Sequence, residues 1–549
     1  MYRLSLGVLA GWIISLPAYS APVIYPHSIL NAASYYAPGL PAGSIAQGSL
    51  FTIFGSGIGP ATGTGQTSFP LQTTFGGVSI QVTQSGTTVN AIPVFVVQGQ
   101  VNAIMPSNAP LGWASLRLTF NSAPSNPSPV FIVHDSPGVF SVNGTGIGPG
   151  VLQNAVSATS LPVNSNQASA KPGQTEVLYL TGLGPITASD TGAPTAGTPA
   201  TPVEVWVGGV AATVTYSGRS PCCSGLDQID FVVPANAPTG CFVPVSVRTS
   251  RTTLANFTSM AIDPKGAACS DPGNPLSNAV TAGGSVGLLS LTRMAMHEDV
   301  GVTSTVDLVS DFVKYSATKQ TGSPWAFAPW VTTPPAGTCT LYPGIGDFLA
   351  TGAVPAANAI TSGLDGGTQL TISGPAGQQS VNISNGTSIP LGSSLSLNSF
   401  PNRLLLNPGS YTLTGPGGAA VGSFTASLTV PAPFTWTNRE QIVNVNRSQP
   451  LTLTWSGAAT GENVAILGVD SDLPSNSSAM FFCMAPSGAT SFTVPTEVLS
   501  AIPATEPDVL ASKSVIYLMS SNSSAFTATG LTTGLATAVY MNGATVVFQ

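Results

Sequence analysis

The chain has 549 residues, of which 43% are hydrophobic and only 6% charged, with 60 glycines, 47 prolines and a net charge of −7. Its 14 Lys and Arg residues are scattered, so no basic patch can displace counterions from phosphates, which excludes nucleic acid and anionic lipid surfaces as electrostatic partners. The apolar fraction is too high for a disordered low-complexity chain. Runs of β-branched residues between Gly, Pro and Asn, without long Glu/Lys-rich helical patterns, predict an all-β protein of about three to five domains.

At the N-terminus, Met1-Tyr2-Arg3, the apolar stretch Leu4 to Leu16 and Ala18-Tyr19-Ser20 before Ala21 have the layout of a secretory signal peptide (1–20) cut after Ser20. No later segment offers about 18 uninterrupted apolar residues. The expected mature chain is therefore exported, either secreted or held at the cell surface, with no transmembrane span after cleavage. From Ala21 to His134 the only formal charge is Arg117, and the first carboxylate is Asp135. Carboxylate-driven catalysis cannot sit in that stretch alone.

An internal repeat follows. Gln100-Val101-Asn102-Ala103-Ile104-Met105-Pro106-Ser107-Asn108-Ala109-Pro110 returns as Gln228-Ile229-Asp230-Phe231-Val232-Val233-Pro234-Ala235-Asn236-Ala237-Pro238. Gly57-Ile58-Gly59-Pro60 matches Gly182-Leu183-Gly184-Pro185, and Phe75-Gly76-Gly77-Val78 matches Val207-Gly208-Gly209-Val210. Three matches in one order predict a duplicated module, 21–135 and 136–263. Each copy closes on an alternating strand, Ala114-Ser115-Leu116-Arg117-Leu118 or Val243-Pro244-Val245-Ser246-Val247. About seven short strands per unit predict tandem immunoglobulin-like β-sandwiches. A Gly/Pro/Asn-rich linker is expected over 264–275, then a β-rich domain over 276–430. Pro431-Ala432-Pro433 marks the start of a final β-sandwich-like domain, 431–549.

Asn31-Ala32-Ala33-Ser34-Tyr35, Pro41-Ala42-Gly43-Ser44-Ile45, Phe51-Thr52-Ile53-Phe54-Gly55-Ser56-Gly57, Ser136-Pro137-Gly138-Val139-Phe140 and Val177-Leu178-Tyr179-Leu180-Thr181-Gly182-Leu183-Gly184-Pro185 resemble an uncharacterised family. It comprises large secreted acidobacterial proteins ending in a paired module related to immunoglobulin-like, IPT/TIG-type domains. The resemblance covers about residues 28–263 and implies the paired sandwich, with no catalytic residues to carry over. This chain departs from the family pattern by placing the pair first and adding a further domain pair after Cys269.

Six cysteines in an exported chain read as disulfides. Cys222 and Cys223 are each expected to bond Cys241 or Cys269, in an open order, with a Cys222–Cys223 bond as the strained alternative. Cys339 and Cys483 are left for each other. No C-x₂-C spacing suggests zinc.

Motifs that could carry chemistry are sparse. Gly283-Gly284-Ser285-Val286-Gly287 fits G-x-S-x-G, but a nucleophile elbow needs an acid and then a histidine downstream, and His297 follows Ser285 with no acid between. Gly55–Pro60 and Gly144–Gly150 lack the Walker lysine and read as turns. His297-Glu298-Asp299 alternate across a strand and converge poorly. Asp470 and Asp472 are the best metal candidates, but other calcium-loop positions are missing, so no metal and no cofactor is expected. Trp325, Phe327 and Trp330, set among prolines, either stack on sugars and partner side chains or plug a sandwich end.

Two readings follow. The first is a non-catalytic secreted or surface protein for adhesion, scaffolding or binding, with an envelope or extracellular protein or polysaccharide as partner. The second is a carbohydrate-binding or polysaccharide-degrading protein acting through its C-terminal half, where Glu298, Asp299, Asp307 and Asp311 are the carboxylates that a glycosidase pair would need.

Overall fold

The computed structural model describes residues 21–549 apart from 198–200, 251–252, 273, 300–304, 330, 346–359, 384–394, 397–405, 473–476 and 506–513; the side chains of 275, 298–299, 305–308, 345, 360–361, 395–396, 472 and 477 also fall outside the description. The expected signal segment and Trp330 lie outside the described residues.

Module 1 comprises β1 (Val23–Asn31), β2 (Leu50–Ser56), β3 (Val78–Gln84), β4 (Thr87–Val97), β5 (Gln100–Ile104), β6 (Gly112–Phe120) and β7 (Ser128–Val133). The hydrogen-bonded order is β1-β2-β5-β4 on one side and β3-β6-β7 on the other. This is the A-B-E-D and C-F-G arrangement of an immunoglobulin sandwich. The short strand Ile45–Ala46 adds parallel to β7. β4 serves both sheets, pairing with β3 through Thr87 to Ala91 and with β5 through Ile92 to Val97, with a register shift at Pro93. Proline has no N–H to give the ladder, so the crossing falls where a ladder bond is already lost. Alternate residues Val78, Ile80, Val82, Leu116 and Leu118 point inward and meet Phe51, Ile53 and Val101 in one core.

Module 2 repeats the order with β8 (Thr175–Thr181), β9 (Val203–Val207), β10 (Val210–Arg219), β11 (Asp227–Val232), β12 (Gly240–Thr249) and β13 (Thr258–Ile262). It has its own core. One sequence match is displaced. Gly76-Gly77 and Gly208-Gly209 both form two-residue hairpins with positive φ at each glycine, as type I′ turns require. The first, however, leads into β3, whereas the second joins β9 to β10, the equivalents of β3 and β4. A repeat that sequence matching missed sits elsewhere. The Asn126 side chain bonds both the N–H and the C=O of Ile24, and Asn256 does the same to Val139. Each asparagine staples the first strand of its module, β1 in module 1 and the short strand Gly138–Val139 beside β8 in module 2.

The two modules interlock. The buried Arg219 guanidinium pairs with Asp227 at 3.0 Å and donates to the Gly48 carbonyl of module 1. Burial pushes the Asp227 carboxyl up to about 6, against the pull of Arg219 and two backbone N–H groups. Thr181 accepts from the Leu50 N–H, and the Asp190 carboxylate takes both the N–H and the hydroxyl of Ser107, each at 2.7 Å.

Beyond the modules lie α1 (Pro275–Ala282), β14 (Gly284–Asp299), β15 (Thr305–Gln320), β16 (Cys339–Ile345), β17 (Asn463–Asp472), β18 (Ser477–Met484), β19 (Ser514–Phe526) and β20 (Thr533–Phe548). The strands form one large sheet in the order β16-β18-β17-β19-β20-β14-β15. β14 runs parallel to β20 from Val286 opposite Thr533 to His297 opposite Ala544. One face of this sheet carries two smaller sheets: four strands within residues 369–430 and three within 435–494. Pro431-Ala432-Pro433 therefore marks the passage between the small sheets and does not separate two domains, because the large sheet takes strands from both sides of it. The segment expected as a linker, 264–275, is pinned. Cys269 is bonded to Cys241, and Asp271 accepts from the Cys241 N–H and the Ser277 hydroxyl.

The disulfides are Cys222–Cys223, Cys241–Cys269 and Cys339–Cys483. The last agrees with expectation. The expected crossing of Cys222 and Cys223 to Cys241 and Cys269 is corrected. Cys222 and Cys223 lie in the Ser220–Leu226 turn beside module 1, where Gly225 packs on Leu50, while Cys241 begins β12 at the other end of the module.

Candidate functional site

β6 alternates inward Ala114, Leu116 and Leu118 with outward Trp113, Ser115 and Arg117. The register places Trp113 opposite Phe131 of β7, with ring centroids 5.0 Å apart and planes tilted by 51°. Trp113 is 65% exposed and Phe131 38%. A cavity of about 240 Å³ opens beside them, lined by Leu40, Ile45 and Pro129 among others.

Rows of polar side chains continue across the same face. Pro129, Ser115, Thr83 and Thr88 stand in one row and Arg117, Gln81 and Asn90 in the next, all exposed. Rows two residues apart on a strand are about 7 Å apart. Thr88 and Asn90 then border an open cleft of about 600 Å³ between the modules, walled on the far side by Ile186 to Thr191. The one carboxylate there, Asp190, is already held by Ser107. The face is thus almost uncharged and rich in hydroxyls and amides, with an aromatic pair at one end. Alternation around Trp113 was legible in the sequence, but its exposure was not, because a sandwich strand exposes whichever face nothing covers.

The corresponding face of module 2 is covered. The core residues Val243, Val245 and Val247 match Ala114, Leu116 and Leu118, so Phe242, Pro244 and Ser246 match Trp113, Ser115 and Arg117. All three are buried. Phe242 meets Phe327 at 6.1 Å between centroids, and Phe327 meets Tyr342 of β16 at 6.3 Å. Pro244 and Ser246 line a cleft shared with Phe492 and Glu497.

The sequence-derived candidates are placed as follows. Phe327 is buried against Phe242, and the Trp325 indole N–H donates to the Asn164 carbonyl at 2.8 Å. These two aromatics join module 2 to the large sheet and are not an open binding surface. Gly148 has positive φ, and a Cβ there would lie 2.7 Å from the Phe327 ring. The Gly144–Gly150 loop therefore seats an aromatic ring. Asp470 is buried and accepts from the Ser471 N–H and the Ser514 and Thr505 hydroxyls. Burial raises its carboxyl pKa, opposed by these bonds and by Arg447. The metal candidate is thus committed to internal hydrogen bonds, and the Asp472 side chain lies outside the described residues. Ser285 is the second residue of strand β14, which follows α1, the reverse of the strand-then-helix order of a nucleophile elbow. The His297 imidazole lies 3.8 Å from the Glu440 carboxylate. Glu298, Asp299 and Asp307 have side chains outside the description. Asp311 is buried, where desolvation raises its pKa while Arg293 and the Leu406 N–H hold it down. Each of the five clefts that stand out among the described residues carries at most one carboxylate. No group of three His, Cys, Asp or Glu side chains that could hold a metal occurs among the described residues.

Strand order and site together define an all-β protein of tandem immunoglobulin-like sandwiches. No protein-family model matches the chain, and no curated protein does. Among solved structures it is similar to a plexin A4 extracellular region (14% identity, 45% of this chain and 19% of that one, TM-score 0.17). It is also similar to a Bacteroides ovatus protein, SGBP-B of a mixed-linkage glucan utilization locus (11%, 87% and 92%, 0.13). A third is the surface layer protein SbsC, domains 4–9 (12%, 94% and 65%, 0.16). The chain thus spans about a fifth of the plexin it matches. At these TM-scores the likenesses carry no argument, and the class rests on the strand order.

Proposed function

We propose that this chain is an exported, non-catalytic binding protein that attaches to the cell envelope or extracellular matrix through the outer face of module 1. The observation that carries this reading is the open Trp113–Phe131 pair. Large rings dominate contact energetics, and Trp is among the residues enriched at binding hot spots. The matching aromatic of module 2 is used up inside the molecule. Export rests on the N-terminal segment and on three disulfides, which persist in oxidising compartments. Among the described residues no helix is long and apolar enough to cross a membrane.

The test is attachment of the labelled protein to isolated cell envelopes, with Trp113→Ala and Phe131→Ala beside Leu161→Ala, an exposed apolar residue of module 2. Loss of tenfold or more of the affinity in the first two, with Leu161→Ala unchanged, is expected. Equal attachment by all four proteins overturns the proposal.

A further inference from the structure

We infer that the occupant of the module 1 face is an uncharged polysaccharide, laid from the Trp113–Phe131 pair across the polar rows toward the cleft between the modules. This rests on the binding role proposed above and specifies its ligand.

Three observations select this chemistry. The first is charge. Arg117 is the only ionic group on the face, and Asp190 at its far end is satisfied by Ser107. An acidic polymer would meet one cation along the whole path, too few to repay its desolvation.

The second is the division between apolar and polar surface. A standard protein interface buries about 800 Å² per partner around an apolar centre. Here the large apolar side chains exposed on or beside the face are Trp113, Phe131 and Leu111, too few for such a centre. What surrounds them is hydroxyl and amide. A sugar ring presents the complementary pattern, with C–H faces for an aromatic ring and equatorial hydroxyls for side chains such as Ser115, Gln81 and Asn90. The 240 Å³ cavity beside Trp113 is below the drug-sized range of about 300 Å³ and upward, and gives room for one ring or branch.

The third is the contrast between the copies. Where module 2 docks protein, the three outward β12 positions are Phe242, Pro244 and Ser246, all buried. At the same positions module 1 has Trp113, Ser115 and Arg117, all exposed. Both copies carry an aromatic at the first of these positions, but where module 2 has Pro244 module 1 has the hydrogen-bonding Ser115.

The experiment is affinity electrophoresis of the full mature chain in gels containing neutral soluble polysaccharides (glucans, mannans, xyloglucan) or acidic ones (alginate, polygalacturonate), at low and high salt. The expected result is retardation by at least one neutral polymer, insensitive to salt. Trp113→Ala should weaken it tenfold or more, Ser115→Ala with Gln81→Ala several-fold, and Leu161→Ala not at all. No retardation by any neutral polymer, retardation unchanged in Trp113→Ala, or salt-sensitive retardation by acidic polymers alone overturns the inference. Periodate treatment of the envelopes separates the two proposals. Trp113-dependent attachment that survives destruction of the glycans keeps the binding role and removes the polysaccharide. Attachment that does not depend on Trp113 removes both.

Discussion

Trp113 and Glu176 show opposite relations between a side chain and its surroundings. Trp113 stands in solvent, so Trp113→Ala should change unfolding free energy by no more than about 0.5 kcal/mol while removing binding; denaturant melts of both proteins check this. Glu176 is fully buried on β8, facing inward with Leu178 and Leu180, and neither carboxyl oxygen has a hydrogen-bond partner. Burial pushes its pKa from 4.5 up to about 8. The protein therefore holds it as the neutral acid at neutral pH, since an isolated buried charge is far more costly than a buried neutral group. The folded-state pKa lies above the unfolded one. The proton is thus retained in the native state and released on unfolding, and stability present below about pH 4.5 is lost as the pH rises toward and through about 8. Glu176→Gln should flatten this slope and gain on the order of 4 kcal/mol at pH 9 relative to the parent; melts between pH 5 and 9 decide it. Position 51, its approximate counterpart in module 1, is a buried phenylalanine, so the sequence match alone gave no hint that a carboxylate had entered the core.

Among elements, the connection between module 2 and the large sheet depends on one aromatic cluster. Phe242→Ala would leave a cavity beside Phe327 and Tyr342 and should cost about 3–5 kcal/mol, read as a lowered melting point and faster proteolysis between the modules and the C-terminal half. The disulfides differ by the length of chain they close. Cys339 and Cys483 are 144 residues apart and sit opposite each other on β16 and β18, so replacing both with serine should cost about 4 kcal/mol and free the edge strand β16. Cys222 and Cys223 are adjacent, exposed and close no loop; serine at both should shift stability by about 0.5 kcal/mol or less. Calorimetry of both double variants tests the ordering. Elements with strong alternation were readable from sequence: β6 and β12 fall where the closing strands of the two copies were predicted. Pairing was not. The two Gly-Gly hairpins are identical in local chemistry yet join different strands, because hairpin type follows from two residues while strand identity follows from the whole sheet. Trp325 and Phe327 could be flagged as important, but whether they face a ligand or another domain depends on a partner strand that no local pattern names.

For the whole molecule, the C-terminal half is one sheet shared by two sandwiches, so fragments 276–430 and 431–549 should each fail to give cooperative unfolding, whereas mixing them should restore it; circular dichroism of each and of the mixture checks this. The fold class was legible in the sequence, because spacing and composition suffice for it, and the strand order agrees. The large sheet takes strands from both sides of Pro431-Ala432-Pro433, which local sequence could not show, because proline-rich connections look alike whether they separate domains or merely two small sheets over a common floor. The parallel pairing of β14 with β20 has a further consequence for how the chain is made. Ser285 and Thr532, which hydrogen-bond at its start, are 247 residues apart. A chain emerging from the ribosome N-terminus first presents both modules, each complete in its own core, long before β14 can find its neighbour. Until then β14 is a long strand with one open edge, the kind of edge that recruits foreign strands, and such distant closure is slow. A chain interrupted in that interval would expose the module 1 face intact while its second half remained unassembled.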